Sequence, residues 1–193
     1  SISSDEVKAR ALAEFNSFVD KLENKGVNVH VIKDTIEPDT PDSIFPNNWV
    51  SFHQDGRVAL YPMCAENRRL ERRTDILEKL RDKCKITSIV DFSHYESEDL
   101  FLEGTGSMIL DRENKICYAA ISIRTDKNIA IEFCHEFDYR LVSFTANQTH
   151  EGERLAIYHT NVMMCVADKY AVVCLDTIDD PEERRRLEEA LLD

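Results

Sequence analysis

Apolar residues recur at helical spacing near the start of the chain, at Val7, Ala11, Phe15, Phe18 and Leu22. Positions that return to one face every three or four residues mark an amphipathic helix. Ser4 reads as its N-cap and Gly26 as its stop. The period then drops to two, and residues 27–32 alternate apolar and polar as a strand does. After a loop holding Pro38, Pro41 and Pro46, apolar runs at 49–52 and 58–61 flank the turn Gln54-Asp55-Gly56-Arg57, a hairpin pattern. A charged helix over 66–83 follows, with Leu70, Ile76, Leu77 and Leu80 as its inner face. Arg69, Arg72 and Arg73 read as its solvated side, and 86–90 as the next strand.

The same order returns. Residues 108–110, a turn at 111–114, residues 116–121, a helix over 126–135 and a strand at 141–144 repeat the first set. A third set starts at 162–166, turns at Asp168-Lys169, continues through 171–175 and ends in a helix over 180–192. Each unit is strand–turn–strand–helix–strand. A fixed period of this size is the mark of a repeat architecture. The chain opens at the helix of one unit and closes just after the helix of another. Residues 1–193 therefore read as part of a single α/β domain that begins and ends inside repeats, a piece of a longer array whose end surfaces call for cover.

Near the start of each set stands a residue able to do chemistry: Asn48, Glu103 and His159. Glu103 lies 55 residues beyond Asn48, and His159 lies 56 beyond Glu103. Equivalent positions in neighbouring repeats converge in space, so the spacing predicts one site shared by the three.

Composition narrows what that site serves. A net charge of −13 over 193 residues excludes a phosphate-binding face of the nucleic-acid kind and disfavours anionic membranes. The N-terminus is polar and has no signal-peptide core, and no apolar run reaches the length of a membrane span. The six cysteines are scattered through apolar stretches, with no C-x-x-C pair and no zinc spacing. Reduced thiols in a cytoplasmic protein without a metal are the expectation. The expected partner is a small molecule.

Five blocks carry a resemblance. Pro41-Asp42-Ser43-Ile44-Phe45-Pro46-Asn47-Asn48-Trp49, Asn67-Arg68-Arg69, Glu103-Gly104-Thr105-Gly106, Ser122-Ile123-Arg124-Thr125 and His159-Thr160-Asn161 are similar, in order, to the signature blocks of the guanidino-group modifying enzymes. That superfamily includes arginine deiminase, dimethylarginine dimethylaminohydrolase and glycine amidinotransferase. Within it the chain most resembles bacterial amidinotransferase-like proteins proposed to be citrulline hydrolases. The resemblance implies the pentein fold, a closed propeller of ββαβ units, of which this chain covers about three of five. It also implies an amino-acid substrate and no cofactor. Contact with the remaining repeats, or a homo-oligomer, would cover the ends.

Further implications are residue by residue. Glu103 matches the family acid that holds substrate nitrogens, and His159 the histidine that protonates the leaving amine and then activates water, a task suited to imidazole near neutral pH. Asn48, with Asn47 beside it, stands where many relatives place an Asp that pairs with a guanidinium. An amide can instead donate to a ureido oxygen. Arg68 and Arg124 match the residues that clamp the substrate's α-carboxylate, for which the guanidinium fork is suited. Asn161 replaces an Asp often found two residues after the histidine. The family nucleophile is a cysteine of the final repeat, beyond residue 193; none of the six cysteines here has a matching context, and Cys64, before a helix start, is the nearest alternative. The implied activity is hydrolysis of a guanidino or ureido C–N bond through a covalent cysteine intermediate. The rivals are an amidinotransferase and a non-catalytic pentein scaffold.

Overall fold

Helix α1 (Ser4–Glu23) starts one residue before the predicted position, because Ser3 rather than Ser4 supplies the cap: its side-chain oxygen accepts from the Glu6 amide at 3.2 Å. The computed structural model describes residues 3–192 and divides the chain into two compact units, 1–34 and 35–193. In the first, α1 ends in a Schellman motif, with Val27 N–H bonded to the Leu22 carbonyl at 3.1 Å and Gly26 at φ +82°. The strand expected over 27–32 does not form. The segment has no assigned secondary structure and pairs with no strand among the described residues, so no sheet satisfies its backbone groups. No helix among the described residues is long and apolar enough to cross a membrane.

The second unit is mixed α/β. Strands β1 (Val50–Phe52) and β2 (Arg57–Leu60) pair antiparallel across the predicted turn, and β3 (Ser88–Asp91) joins β2 in parallel. Between β2 and β3 the predicted long helix is two short ones, α2 (Glu66–Arg69) and α3 (Thr74–Leu80). The break has a physical cause in the arginines. Arg69 and Arg72 turn inward to the carbonyls of Met63 (2.9 Å) and Tyr61 (3.2 Å), and Arg72 also grips Glu96 through two bonds. They are half-buried, not solvated, and Leu70 is pushed to the surface.

The next set repeats this topology. After the one-turn helix α4 (Gly104–Ser107), β4 (Met108–Asp111) pairs antiparallel with β5 (Ile116–Ala120). Helix α5 (Lys127–Phe137) then leads to β6 (Arg140–Phe144), parallel to β5. Asp126 caps α5, accepting from the amides of Asn128 and Ile129. The hairpin of β7 (Asn147–His150) and β8 (Glu153–Ala156) was not expected. The last set is β9 (Met164–Val166), β10 (Ala171–Val173) and α6 (Pro181–Leu192). Among the described residues no ladder joins one sheet to the next.

Period-two alternation on the central strands divides the core. On β5, Cys117 and Ala119 face a cluster with Phe133, Phe137 and Met108, while Ile116, Tyr118 and Ala120 face another with Phe144, Met163 and Leu187. On β2, Ala59 joins the first cluster, whereas Val58 and Leu60 meet Trp49 and Leu77 on the other side. Each fully buried large apolar side chain contributes about 1.5–3 kcal/mol. These layers fix the turns that precede β1, β4 and β9, where the candidate chemistry lies.

Candidate active site

Each of those three strands is preceded by one turn of helix: Pro46–Asn48, Gly104–Ser107 and Thr160–Val162. Glu103 and His159 occupy the same place, just before their turns, whereas Asn48 is the last residue of its own. The turns pack together nonetheless. Thr160 donates its hydroxyl to the Ser107 carbonyl and accepts from the Ala120 amide at 2.8 Å. Ser107 in turn accepts from the Glu103 amide (3.0 Å) and donates to the Arg124 carbonyl (2.7 Å).

The predicted convergence is present. His159 Nε2 lies 2.6 Å from Glu103 Oε2, and both side chains are buried, Glu103 completely. The second carboxylate oxygen accepts from the Cys64 amide at 3.0 Å, and Arg124 approaches Oε2 at 3.5 Å. Burial drives the Glu103 carboxyl up, but the bonds from His159 and the Cys64 amide, with the charges of His159 and Arg124, hold it below its ordinary value. The carboxylate is therefore ionised and can only accept, so Nε2 is the nitrogen that carries a proton and donates it to Oε2. Nδ1 is left as the basic nitrogen. The same charge, after burial, pushes the Cys64 thiol up, the opposite of what a thiolate nucleophile needs.

Glycine permits this closeness. A Cβ on Gly106 would stand 2.3 Å from Asn48 Nδ2 and 3.0 Å from the His159 ring, and one on Gly104 would stand 2.2 Å from the Asn47 carbonyl. The Asn48 amide is oriented from both ends. Its Nδ2 donates to the Glu103 carbonyl at 3.4 Å, and its Oδ1 accepts from Arg68 at 3.2 Å.

His159 opens onto a cleft of about 380 Å³ lined also by Asn47, Asn48, Arg68, Arg124 and Asn161. Six of the seven residues singled out in the sequence thus share one wall, and Glu103 stands behind His159. The two arginines differ. Arg68 is buried, with Nε and NH2 each 2.9 Å from a Glu71 carboxylate oxygen and further bonds to the carbonyls of Asp42 and Phe45. Arg124 is a third exposed, lies over the Tyr158 ring at 5.1 Å and lines the cleft. Sequence reasoning missed Glu71, Tyr158 and the Cys64 amide. Glu71, three residues after Arg68 on a helical stretch, carried the one readable cue. Among the described residues no group of three His, Cys, Asp or Glu is placed to hold a metal ion.

The family model for N,N dimethylarginine dimethylhydrolase, eukaryotic, matches residues 1–193. The chain belongs to this family. It is thereby one of the guanidino-group modifying superfamily that its five blocks resemble. No curated protein sequence matches it. Solved structures do. An arginine dihydrolase from the ornithine–ammonia cycle in cyanobacteria, ArgZ, superimposes with a TM-score of 0.74 at 18% identity, over 96% of this chain and 27% of that one. AgrE, in a ternary complex with ornithine and NAD+, gives 0.68 at 20% identity, over 95% of this chain and 24% of that one. A dimethylarginine dimethylaminohydrolase adduct gives 0.62 at 16% identity, over 92% and 65%. At these identities the likeness is one of fold, and this family member spans only part of each structure it matches.

Proposed function

We propose that this chain carries the acid–base part of an enzyme that hydrolyses a C–N bond in the guanidino or ureido group of an arginine- or citrulline-like amino acid. The observation that carries the reading is the buried 2.6 Å contact between His159 and Glu103 at the wall of a polar cleft. In this reading residues 1–193 are part of one catalytic pentein domain, about three of its five ββαβ units. A cysteine thiolate from outside these residues attacks the central carbon of the group. His159, as imidazolium, gives its proton to the departing nitrogen as that C–N bond breaks. The neutral ring then takes a proton from water, whose oxygen attacks the same carbon and expels the thiolate. Glu103 orients the ring and stabilises its cationic form. Arg124 receives the substrate carboxylate, and Arg68, engaged by Glu71, fixes the amide of Asn48.

Two experiments test this. Residues 1–193 alone are expected to give no turnover of arginine, citrulline or dimethylarginine. None of the six cysteines lines the cleft, and turnover by this chain that vanished on Cys64→Ala would overturn that placement of the nucleophile. A non-catalytic scaffold draws on the same lack of a cleft cysteine, but leaves the burial of an ionised Glu–His pair without a purpose.

The second concerns preference. A buried guanidinium facing an amide gains little for its desolvation, whereas a ureido oxygen gains a donor from the remaining Asn48 N–H. Citrulline is therefore expected to have the higher kcat/KM in the native gene product. Loss of a charge-assisted bond is worth about 1.5–3 kcal/mol, so Asn48→Asp should move the citrulline-to-arginine ratio roughly tenfold or more towards arginine. An unchanged ratio would sink the idea.

A further inference from the structure

A second cleft, of about 400 Å³, shares no lining residue with the first. It lies where the β1–β2 and β4–β5 turns meet the end of α5, and its walls carry three cations, Arg57, Arg112 and Lys115, against one carboxylate, Asp55. On a chain of net charge −13 such a concentration runs against the general field. The three cations are not alike. Arg57 is already spent: it pairs with Asp55 at 2.6 Å, approaches Glu136 and Asp138, and lies over the Phe137 ring.

Among the described residues Arg112 and Lys115 form no ion pair with a carboxylate. Arg112 donates to the Phe52 carbonyl at 3.1 Å, and Lys115 reaches the Phe137 carbonyl at 3.5 Å and the Tyr139 ring at 4.7 Å. Both line the cleft. Lys115 also sits at φ +56°, a left-handed backbone that glycine or asparagine adopts with less strain.

Beside these groups stands His53, 2.9 Å from the Ser51 hydroxyl, its ring tilted against Phe137 with centroids 4.1 Å apart. Burial, followed by the charge of Arg112, pushes its pKa down to about 4; Asp55 acts the other way, and Arg57 and Lys115 add to the fall. The ring thus shares the cleft with two cations, Arg112 and Lys115, that have no carboxylate partner among the described residues, beside the neutralised Arg57–Asp55 pair.

We infer that this cleft binds a small organic dianion, a phosphate monoester or a dicarboxylate, through Arg112 and Lys115. Both headgroups accept several charge-assisted bonds from a guanidinium and an ammonium. The volume, within the range of small-ligand sites, leaves room for a body beyond the charged group, against Phe137 and Tyr139. The site is independent of the His159–Glu103 pair, so neither reading stands or falls with the other.

The test follows the His53 ring by NMR while the protein is titrated with inorganic phosphate and, separately, with succinate. At about pH 8, where both probes are dianions, binding places an opposite charge near the ring, and the His53 ring resonances are expected to shift saturably with probe concentration. Arg112→Gln and Lys115→Gln are each expected to weaken binding roughly tenfold, the loss of one charge-assisted bond. Lys169→Gln should leave it unchanged. A response to phosphate alone assigns a phosphate monoester, to succinate alone a dicarboxylate, and to both a general dianion site. The inference is overturned if neither probe moves His53 up to roughly 10 mM, enough to fill a site with a Kd of about 1 mM. It is overturned equally if the response survives intact in both variants. Should a variant fail to fold, the wild-type titration alone decides.

Discussion

Glu103→Gln in the native gene product is expected to lower kcat about a hundredfold to ten-thousandfold, the range supplied by positioned acid–base groups. The replacement keeps the shape of the side chain and removes only its charge. Three donors now converge on the carboxylate: His159 at 2.6 Å, the Cys64 amide at 3.0 Å and Arg124 at 3.5 Å. With an amide in its place, the imidazolium loses the anion that stabilises it, and the proton on Nε2 loses a firm acceptor. KM should change far less, because Glu103 stands behind the ring and not on the cleft wall. A loss in kcat below about tenfold would mean that the pair is structural. The substitution also has a pH signature. The folded carboxyl titrates below its ordinary 4.5, so its contribution to stability is fully present above that value and is lost as pH falls through the lower native one. The stability gap between wild type and Glu103→Gln should therefore narrow on acidification below pH 4.5.

Glu71→Ala is expected to destabilise the protein by about 3–5 kcal/mol, the cost of stranding one partner of a buried ion pair. The side chains of Arg68 and Glu71 are 8% and 1% exposed, and the guanidinium meets both carboxylate oxygens at 2.9 Å. Removing the acid leaves a buried cation hydrogen-bonded, among the described residues, to the carbonyls of Asp42 and Phe45 and the Asn48 amide, with Glu103 and Asp42 acting on it only through their charge. Urea denaturation of the two proteins measures the difference. A shift under about 1 kcal/mol would place the pair among solvent-screened surface bridges. Where Glu71→Ala still folds, the Asn48 amide loses its anchor, so activity should fall with stability.

What was legible in the sequence was whatever rests on period and chemistry. Helix α5 was readable because Asp126 caps an apolar stripe at Ile129, Ala130, Phe133 and Phe137, and those residues are buried. The hairpins of β1–β2 and β4–β5 were readable from apolar runs around polar turns. The 55- and 56-residue spacing brought Asn48, Glu103 and His159 together, although Asn48 turned out to sit at the end of its turn and not before it.

The failures share a cause: in each, contacts distant in sequence decide the local form. Residues 27–32 alternate correctly, yet a strand exists only where another strand accepts its hydrogen bonds. The helix expected over 66–83 is rich in Glu, Arg, Lys and Leu, but Glu96 and the carbonyls of Tyr61 and Met63 draw its arginines inward and break it. The β7–β8 hairpin escaped notice because its strands are polar and mostly exposed, with only Glu151 and Gly152 at positive φ to mark the turn. Glu71 looked like one more charge in a charged run; only Arg68 folding back on it makes it part of the site.

Glu103 and His159 acting as one acid–base unit upon a guanidino or ureido C–N bond is the central expectation. A double-mutant cycle in the native gene product, measuring kcat for citrulline and arginine hydrolysis in Glu103→Gln, His159→Asn and the combined variant, addresses that directly. Residues that act as a unit lose their effect together. The predicted result is a double variant no slower, within about threefold, than the worse of the two singles. Losses that multiply would show two independent contributions and contradict the account.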